Sequence, residues 1–361
     1  MSSFEKPAFL QLLSKHLASY PEMQPQDLVK LCYQRAFGAA HFCGDMQQAV
    51  DAAVQETAEC TGNSEPLLQP LDAKGDFYRF SLSAAKQLGL DILPFARAFA
   101  LDAASCTADE AWFAEALDAL VPLAKQRLFC FSAQQMSDYL EEYRAVGCPA
   151  VNHSEHYRAL YHPHYRVFCG RVARLLPLLI AISQKKAALP KGGRLSIALD
   201  GLAASGKTTA GEYLAQIFDT DVVHMDDFFL PPALRTKERL AEAGGNVHYE
   251  RFAQQVAPHL QQAEPFDYQV FSCQKMDFAG CHSIGAHDLL FVEGAYALHP
   301  SCGGNYGLSA FFSISPELQQ QRILQRNGAA MWERFRDSWI PMEKKYAEHF
   351  SIEQQADFII C

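Results

Sequence analysis

A chain of 361 residues with a net charge of −10 and 11 scattered cysteines is long enough for two or three domains and lacks the Cys spacing of a disulfide framework. The acidic balance, with a pI near 5.7, argues against nucleic acid as a general partner. The start of the chain is not an apolar leader, and the longest apolar run, residues 175–182, is short and interrupted by Pro177, so the expectation is a cytoplasmic protein with reduced thiols and no membrane partner.

Residues 1–186 read as helix after helix. Phe9, Leu10, Leu12, Leu13 and Leu17 recur at helical spacing. Asp27 stands where a cap for a helix over 28–37 belongs, and residues 107–110 and 132–135 have the form of capping boxes. No alternating strand stands out, so the expectation is an all-helical N-terminal domain of unassigned role. Three clusters interrupt it. Gly38 and Gly44 flank His41 and Cys43, either to present both to a ligand or, more plainly, as a helix C-cap with a packed His. Residues 76–79, Asp-Phe-Tyr-Arg, read as a packing edge. Residues 153–166 hold His153, His156, His162, His164, Arg158 and Arg166. They allow a metal site on one pair of histidines, an anion site on the two arginines, or a polar interdomain surface. A helix then runs to about Lys186, and the Pro/Gly stretch 187–193 is the expected linker.

From Arg194 to the end, short apolar strands alternate with helices, the mark of an α/β domain with a mainly parallel sheet. Residues 195–199 form the first strand, and residues 201–208 fit G-x-x-x-x-G-K-[ST], the phosphate-cradling loop that runs into a helix. Glycines let backbone N–H groups approach phosphate oxygens, and the helix N-terminus adds positive potential. Gly201, Ala203, Ala204, Ser205, Gly206, Lys207, Thr208 and Thr209 are thus the nucleotide-binding candidates, with Lys207 on the outer phosphates and Thr208 on Mg²⁺. Residues 222–225 form a strand that ends at Asp226 and Asp227. A carboxylate at a strand's C-terminal end lies where open α/β sheets bind ligands, so Asp226 is the candidate general base; the plainer reading is two Asp capping a turn. The strand at 289–292 ends in Glu293, a second candidate Mg²⁺ ligand. A strand at 311–314 leads into a helix opened by Ser315 and Pro316. On that helix Arg322 and Arg326 are four apart and share a face, fit to close over a transferring phosphate or simply solvated. A last strand is expected over 356–360.

These pieces, in this order, resemble the uridine kinase / nicotinamide riboside kinase group of P-loop kinases, which includes phosphoribulokinase. The matching segments are 201–209, 224–229, 291–294 and the Arg322/Arg326 helix, about half the chain. The resemblance implies an α/β P-loop NTPase fold of the nucleoside-monophosphate-kinase type. It implies Asp226 as base, Lys207 as phosphate ligand, Thr208 and Glu293 beside Mg²⁺, and the arginine helix as a lid. On the substrate side it points to Asp227, Phe229, His248, Tyr268 and Phe271. His248 stands where relatives carry an Asp for ribose hydroxyls, and Phe271 and Cys273 where uridine kinases carry a His and an Arg. Both departures remove hydrogen-bonding capacity, so the acceptor is not expected to be uridine or cytidine. The expected activity is ATP/Mg²⁺-dependent phosphorylation of a hydroxyl on a small molecule. A second reading makes the chain an ATP-gated regulatory module whose helical half recognises a partner. A third gives that half its own metal-dependent activity.

Overall fold

The structure is a computed structural model that describes residues 5–39, 45–60, 65–71 and 75–361. His41 and Cys43 lie outside the described residues. The chain divides into two compact units, Met1–Ala173 and Arg174–Cys361. The division falls inside the helix Gly170–Ala187, not at the Pro/Gly stretch expected as linker. The reason is that this stretch is tied into the second unit. Gly193 bridges Gln262, Ala263 N–H donates to the Gly192 carbonyl at 3.0 Å, and Arg194 N–H donates to Gln261 at 2.9 Å.

The first unit is not all-helical. Its helices, among them Lys6–Ser19, Pro25–Phe37, Ile92–Ser105, Glu110–Ala124 and Ala133–Ala145, accompany a three-stranded antiparallel sheet. Its strands are β1 (Leu68–Pro70), β2 (Phe77–Ser81) and β3 (Tyr165–Cys169), in that order across the sheet. Two physical facts hide them from a sequence reading. β2 and β3 are half-buried or buried at every position, so neither shows polar–apolar alternation. β3 is also far along the chain from its partner β2, and it begins only at the end of the histidine-rich tract. The helix starts are partly rearranged too. Gln24 is the N-cap of Pro25–Phe37, and Asp27 is the third helical residue that reaches back to the Gln24 N–H. Asp109, not Thr107, caps Glu110–Ala124, whereas Ser132 and Gln135 form a reciprocal capping box. Phe9, Leu12, Leu28, Leu31, Phe113 and Leu117 belong to the apolar core.

The second unit contains β4 (Leu195–Gly201), β5 (Val222–His224), β6 (Phe266–Ser272), β7 (Asp277–Ile284), β8 (Leu289–Glu293), β9 (Leu308–Phe312) and β10 (Phe358–Ile360). Five of them form a parallel sheet in the order β10-β9-β4-β8-β5. β6 and β7 pair as a separate antiparallel hairpin. β4, β8 and β9 are buried at every position, as strands covered on both faces must be. The chain leaves β4 for β5 on one side, with β8 between them, and later returns to β9 on the other side. That reversal makes the carboxyl end of β4 a topological switch point, where open α/β sheets take their ligands. Among the described residues, no helix is long and apolar enough to cross a membrane.

Gly201 closes β4 with φ +147°, and a Cβ there would lie 2.3 Å from the Phe312 carbonyl oxygen. That neighbour is backbone of the adjacent strand and has no room to move. Gly201→Ala is therefore expected to cost roughly 1–3 kcal/mol, read as a lowered urea midpoint. An unchanged midpoint would show that the two strands are not packed this closely.

Candidate active site

Beyond Gly201 the chain turns through Ala204 (φ 59°) and Gly206 (φ 98°) into the helix Lys207–Phe218. The first amides of that helix have no intrahelical acceptor and carry the positive end of its dipole. Ser205 Oγ is buried and has no hydrogen-bond partner among the described residues. Among the described residues, Lys207 Nζ reaches only the Leu202 carbonyl, at 3.3 Å. An orphaned hydroxyl, open amides and an ammonium around one turn fit a phosphate group.

Glu293 ends β8 and is 4% exposed. Its Oε2 accepts from Thr208 Oγ1 at 3.0 Å, and its Oε1 from His224 Nδ1 at 2.6 Å. That second hydrogen bond raises the His224 pKa against the opposing effect of burial. The same two hydrogen bonds fix the orientation of the Glu293 carboxylate. Glu293 and Thr208 therefore present adjacent oxygens, the hard donors that Mg²⁺ takes. Among the described residues, no group of three or more His, Cys, Asp or Glu gathers as a metal site. A bound Mg²⁺ would fill its shell with water and phosphate oxygens, as that ion commonly does.

Asp226 lies in the short turn Met225–Phe228 that follows β5. Its carboxylate is open to solvent, yet the protein around the cleft desolvates it and raises its pKa; Glu293 and Asp227 push the same way, and Lys207 opposes them. Asp227 is held differently. Its Oδ2 accepts from Tyr268 OH at 3.0 Å, and that hydroxyl meets His282 Nδ1 at 2.9 Å. The Tyr268 ring is buried against Phe228. Phe229 is half-buried and bridges Val247 through its backbone.

Four of the expected site residues are engaged elsewhere in the fold. Phe271 is 2% exposed and packs edge-on against Phe278 inside the β6–β7 hairpin, so it offers a ligand no surface. His248 is the N-cap of the helix Tyr249–Gln255, its Nδ1 accepting from the Arg251 N–H at 3.3 Å. Arg322 and Arg326 have separate partners. Arg322 donates to the Ala204 carbonyl at 3.0 Å, whereas Arg326 is exposed and donates to its neighbour Asn327 at 2.8 Å. Gly328, with non-helical φ and ψ, breaks the helix Pro316–Arg334 just beyond them. The histidines of 153–166 are likewise dispersed: His153 bonds Asp27, His164 bonds Glu56, and His156 is exposed beside Glu22. Arg166 pairs with Glu56 at 2.7 Å.

Two further carboxylates belong to the site. Asp200, 1% exposed within β4, accepts from the N–H groups of Gly201, Tyr296 and Leu298 and from Tyr346 OH. An acid inside an apolar strand, one residue ahead of the loop, was the signal for it. Glu343, on the helix Ile340–His349, accepts the Ala203 N–H at 2.7 Å. It had no local signal, because it lies far along the chain on an amphipathic helix. Burial pushes the Glu343 pKa up to about 7, against the pull of Lys207.

No family model and no curated protein sequence matches the chain. Solved structures do. A protein described as a "possible uridine kinase" from Bacillus stearothermophilus aligns at 19% identity and TM-score 0.38, over 52% of this chain and 98% of its own. The D-glycerate 3-kinase of Cryptococcus neoformans aligns at 12% identity and TM-score 0.35, over 49% of this chain and 86% of its own. What this chain can do follows from its own residues.

Glu343 binds its proton more tightly folded than unfolded. It therefore stabilises the fold most below pH 4.5 and loses that contribution as pH rises towards about 7. Glu343→Gln keeps the acceptor for Ala203 and removes the titration. Without nucleotide, wild-type stability is expected to fall relative to the variant between pH 5 and pH 8, by on the order of 3 kcal/mol. Parallel stability profiles for the two proteins would show that Glu343 does not titrate in this range.

Proposed function

We propose that the second unit is an ATP- and Mg²⁺-dependent phosphotransferase acting on a hydroxyl of a small molecule. The observation that carries this reading is the convergence at one sheet end of the phosphate loop, the Thr208–Glu293 oxygen pair and the desolvated Asp226. Each part has a place in phosphoryl transfer. The amides from Ala204 to Thr209, with Ser205 and Lys207, bind the phosphates of ATP. Thr208 and Glu293 would hold Mg²⁺, which there supplies neutralising charge for the phosphate oxygens. His224 orients Glu293 through their hydrogen bond. Asp226 takes the proton from the acceptor hydroxyl as its oxygen attacks the γ-phosphorus and the bond to the β–γ bridging oxygen breaks, leaving ADP. The raised pKa of Asp226 makes it a stronger base than an ordinary carboxylate. Arg322 and Gln319 clamp the loop by donating to the Ala204 and Ala203 carbonyls. With Phe271 buried and Cys273 exposed, the β6 segment offers no His–Arg pair to a pyrimidine, so the acceptor is a small alcohol other than uridine or cytidine.

ATP consumption across nucleosides, ribosides, sugars and simple alcohols, with Lys207→Ala as control, tests the reading. The expected result is turnover with one acceptor class that disappears in the control. Asp226→Asn should lower turnover by roughly 10²–10⁴ while ATP binding persists. Normal turnover in that variant would remove Asp226 as the base. ATP binding without turnover on any acceptor would favour a nucleotide-gated module over an enzyme.

A further inference from the structure

The first unit holds a polar centre that phosphoryl transfer does not use. β2 carries Arg79 into the interior, where it is 3% exposed. Nη2 donates to Gln34 Oε1 at 2.8 Å, and the guanidinium lies over the Tyr165 ring at 4.5 Å. Among the described residues, Nε and Nη1 have no hydrogen-bond partner. Nε carries one N–H and Nη1 two, so three donors of a permanently charged group are open. Tyr157 and Tyr20 contribute hydrogen-bond interactions to the guanidinium, but neither meets Nε or Nη1 at hydrogen-bond distance and angle. Burial opposes the charge and the surrounding tyrosines offset that, but the two nitrogens still lack acceptors, and arginine cannot lose its proton to spare them.

Arg79 lines a cavity of about 230 Å³, with Ser19, Tyr20, Glu65, Gln69, Ser81 and Tyr165 around it. The arginine is also firmly aimed. Asp27 accepts from His153 Nδ1 at 3.0 Å and from the Ser154 N–H and hydroxyl. Burial lowers the His153 pKa to about 4, so the ring is neutral and its Nε2 accepts from Tyr165 OH at 2.5 Å. The Tyr165 oxygen accepts from Gln34 Nε2 at 2.8 Å, which leaves the Gln34 carbonyl to take Arg79. Every donor in this chain points the same way, from Arg79 to Asp27. Such a chain fixes the guanidinium before any ligand arrives. Asp27 sits at its far end, surrounded by its own donors, and does not neutralise the cavity.

We propose that this cavity binds a small organic monocarboxylate, its carboxylate on the open N–H groups of Arg79 and its hydroxyl or ammonium group on Glu65 and the neighbouring hydroxyls. Arginine's planar donors suit a carboxylate. A phosphate dianion is disfavoured, because Glu65 places a like charge in the same lining. The site is independent of the phosphotransfer reading.

Calorimetry on the full chain with acetate, L-lactate and L-serine, and with inorganic phosphate as comparison, tests it. The expected result is saturable binding of at least one carboxylate and weaker binding of phosphate. Binding should be lost in Arg79→Gln and unchanged in Lys207→Ala, which separates it from the phosphate loop. Because Arg79→Gln can disturb the buried network, Glu65→Gln is the second variant: it lies in the cavity wall, outside the hydrogen-bonded chain from Arg79 to Asp27, and should bind acetate several-fold tighter. No heat from any carboxylate at saturating concentration would overturn the proposal, as would binding untouched by Arg79→Gln or preferential binding of phosphate. Loss of fold stability in Glu65→Gln with no gain in acetate binding would also overturn it, by making Glu65 the internal counter-ion of Arg79.

Discussion

A single buried carboxylate organises the second unit. Asp200 sits in a fully buried strand whose other polar side chain is Ser196, and ionised it would be untenable without donors. It finds four: the amides of Gly201, Tyr296 and Leu298, and the hydroxyl of Tyr346. Those donors come from the phosphate loop, from the segment after β8 and from the helix Ile340–His349. Solving the desolvation problem of one side chain therefore locks three otherwise separate pieces of chain into register. The helix that carries Tyr346 also carries Glu343, so the same lock delivers a second carboxylate to the loop's backbone. Removing Asp200 would leave the donors unpaired as well, so the arrangement is cooperative in both directions.

The cleft that results is rich in carboxylates although its proposed ligand is an anion. The apparent conflict resolves once each acid is followed to its partners. Glu293 is held by Thr208 and His224, Asp200 by its four donors, and Glu343 by one amide while burial favours its protonated form. Asp226 alone of these faces solvent, and it too is biased toward holding a proton. Lys207 appears in the electrostatic surroundings of Asp200, Asp226 and Glu343. One ammonium thus serves three acids, and a phosphate entering the loop would compete with them for it.

How much of this was legible in the sequence follows physical lines. The phosphate loop could be read because its chemistry is local: glycines, a lysine and a hydroxyl at fixed spacing between a strand and a helix. The places of Asp226 and Glu293, just past one strand and at the end of another, could be read because strand ends are local too. Phe271 and His248 were misread because sequence position shows neither packing against Phe278 nor a cap on a following helix. Arg322 and Arg326 share a helical face, but spacing does not show that one is bound to the Ala204 carbonyl and the other is not. The sheet of the first unit was missed for the same reason. β2 and β3 acquire strand character from each other, not from alternation within either. Arg79 read as a packing edge, since its contacts with Gln34 and Tyr165, both remote in the chain, leave no trace in local spacing.

The pairing of β2 with β3 has a consequence for biosynthesis. β3 is the last strand of the first unit, and it joins β2 only after every intervening helix has been made. During translation the β2 edge, with Phe77 and Phe80, stays unpaired until Cys169 has left the ribosome. The same holds for the His153–Asp27 and Tyr165–Gln34 contacts, which close the first unit from its C-terminal end. The unit therefore has a high-contact-order closure that comes late and all at once. A ribosome that pauses before residue 165 would hold out a nascent chain with an open strand edge, a template for misassembly with its neighbours on the same message.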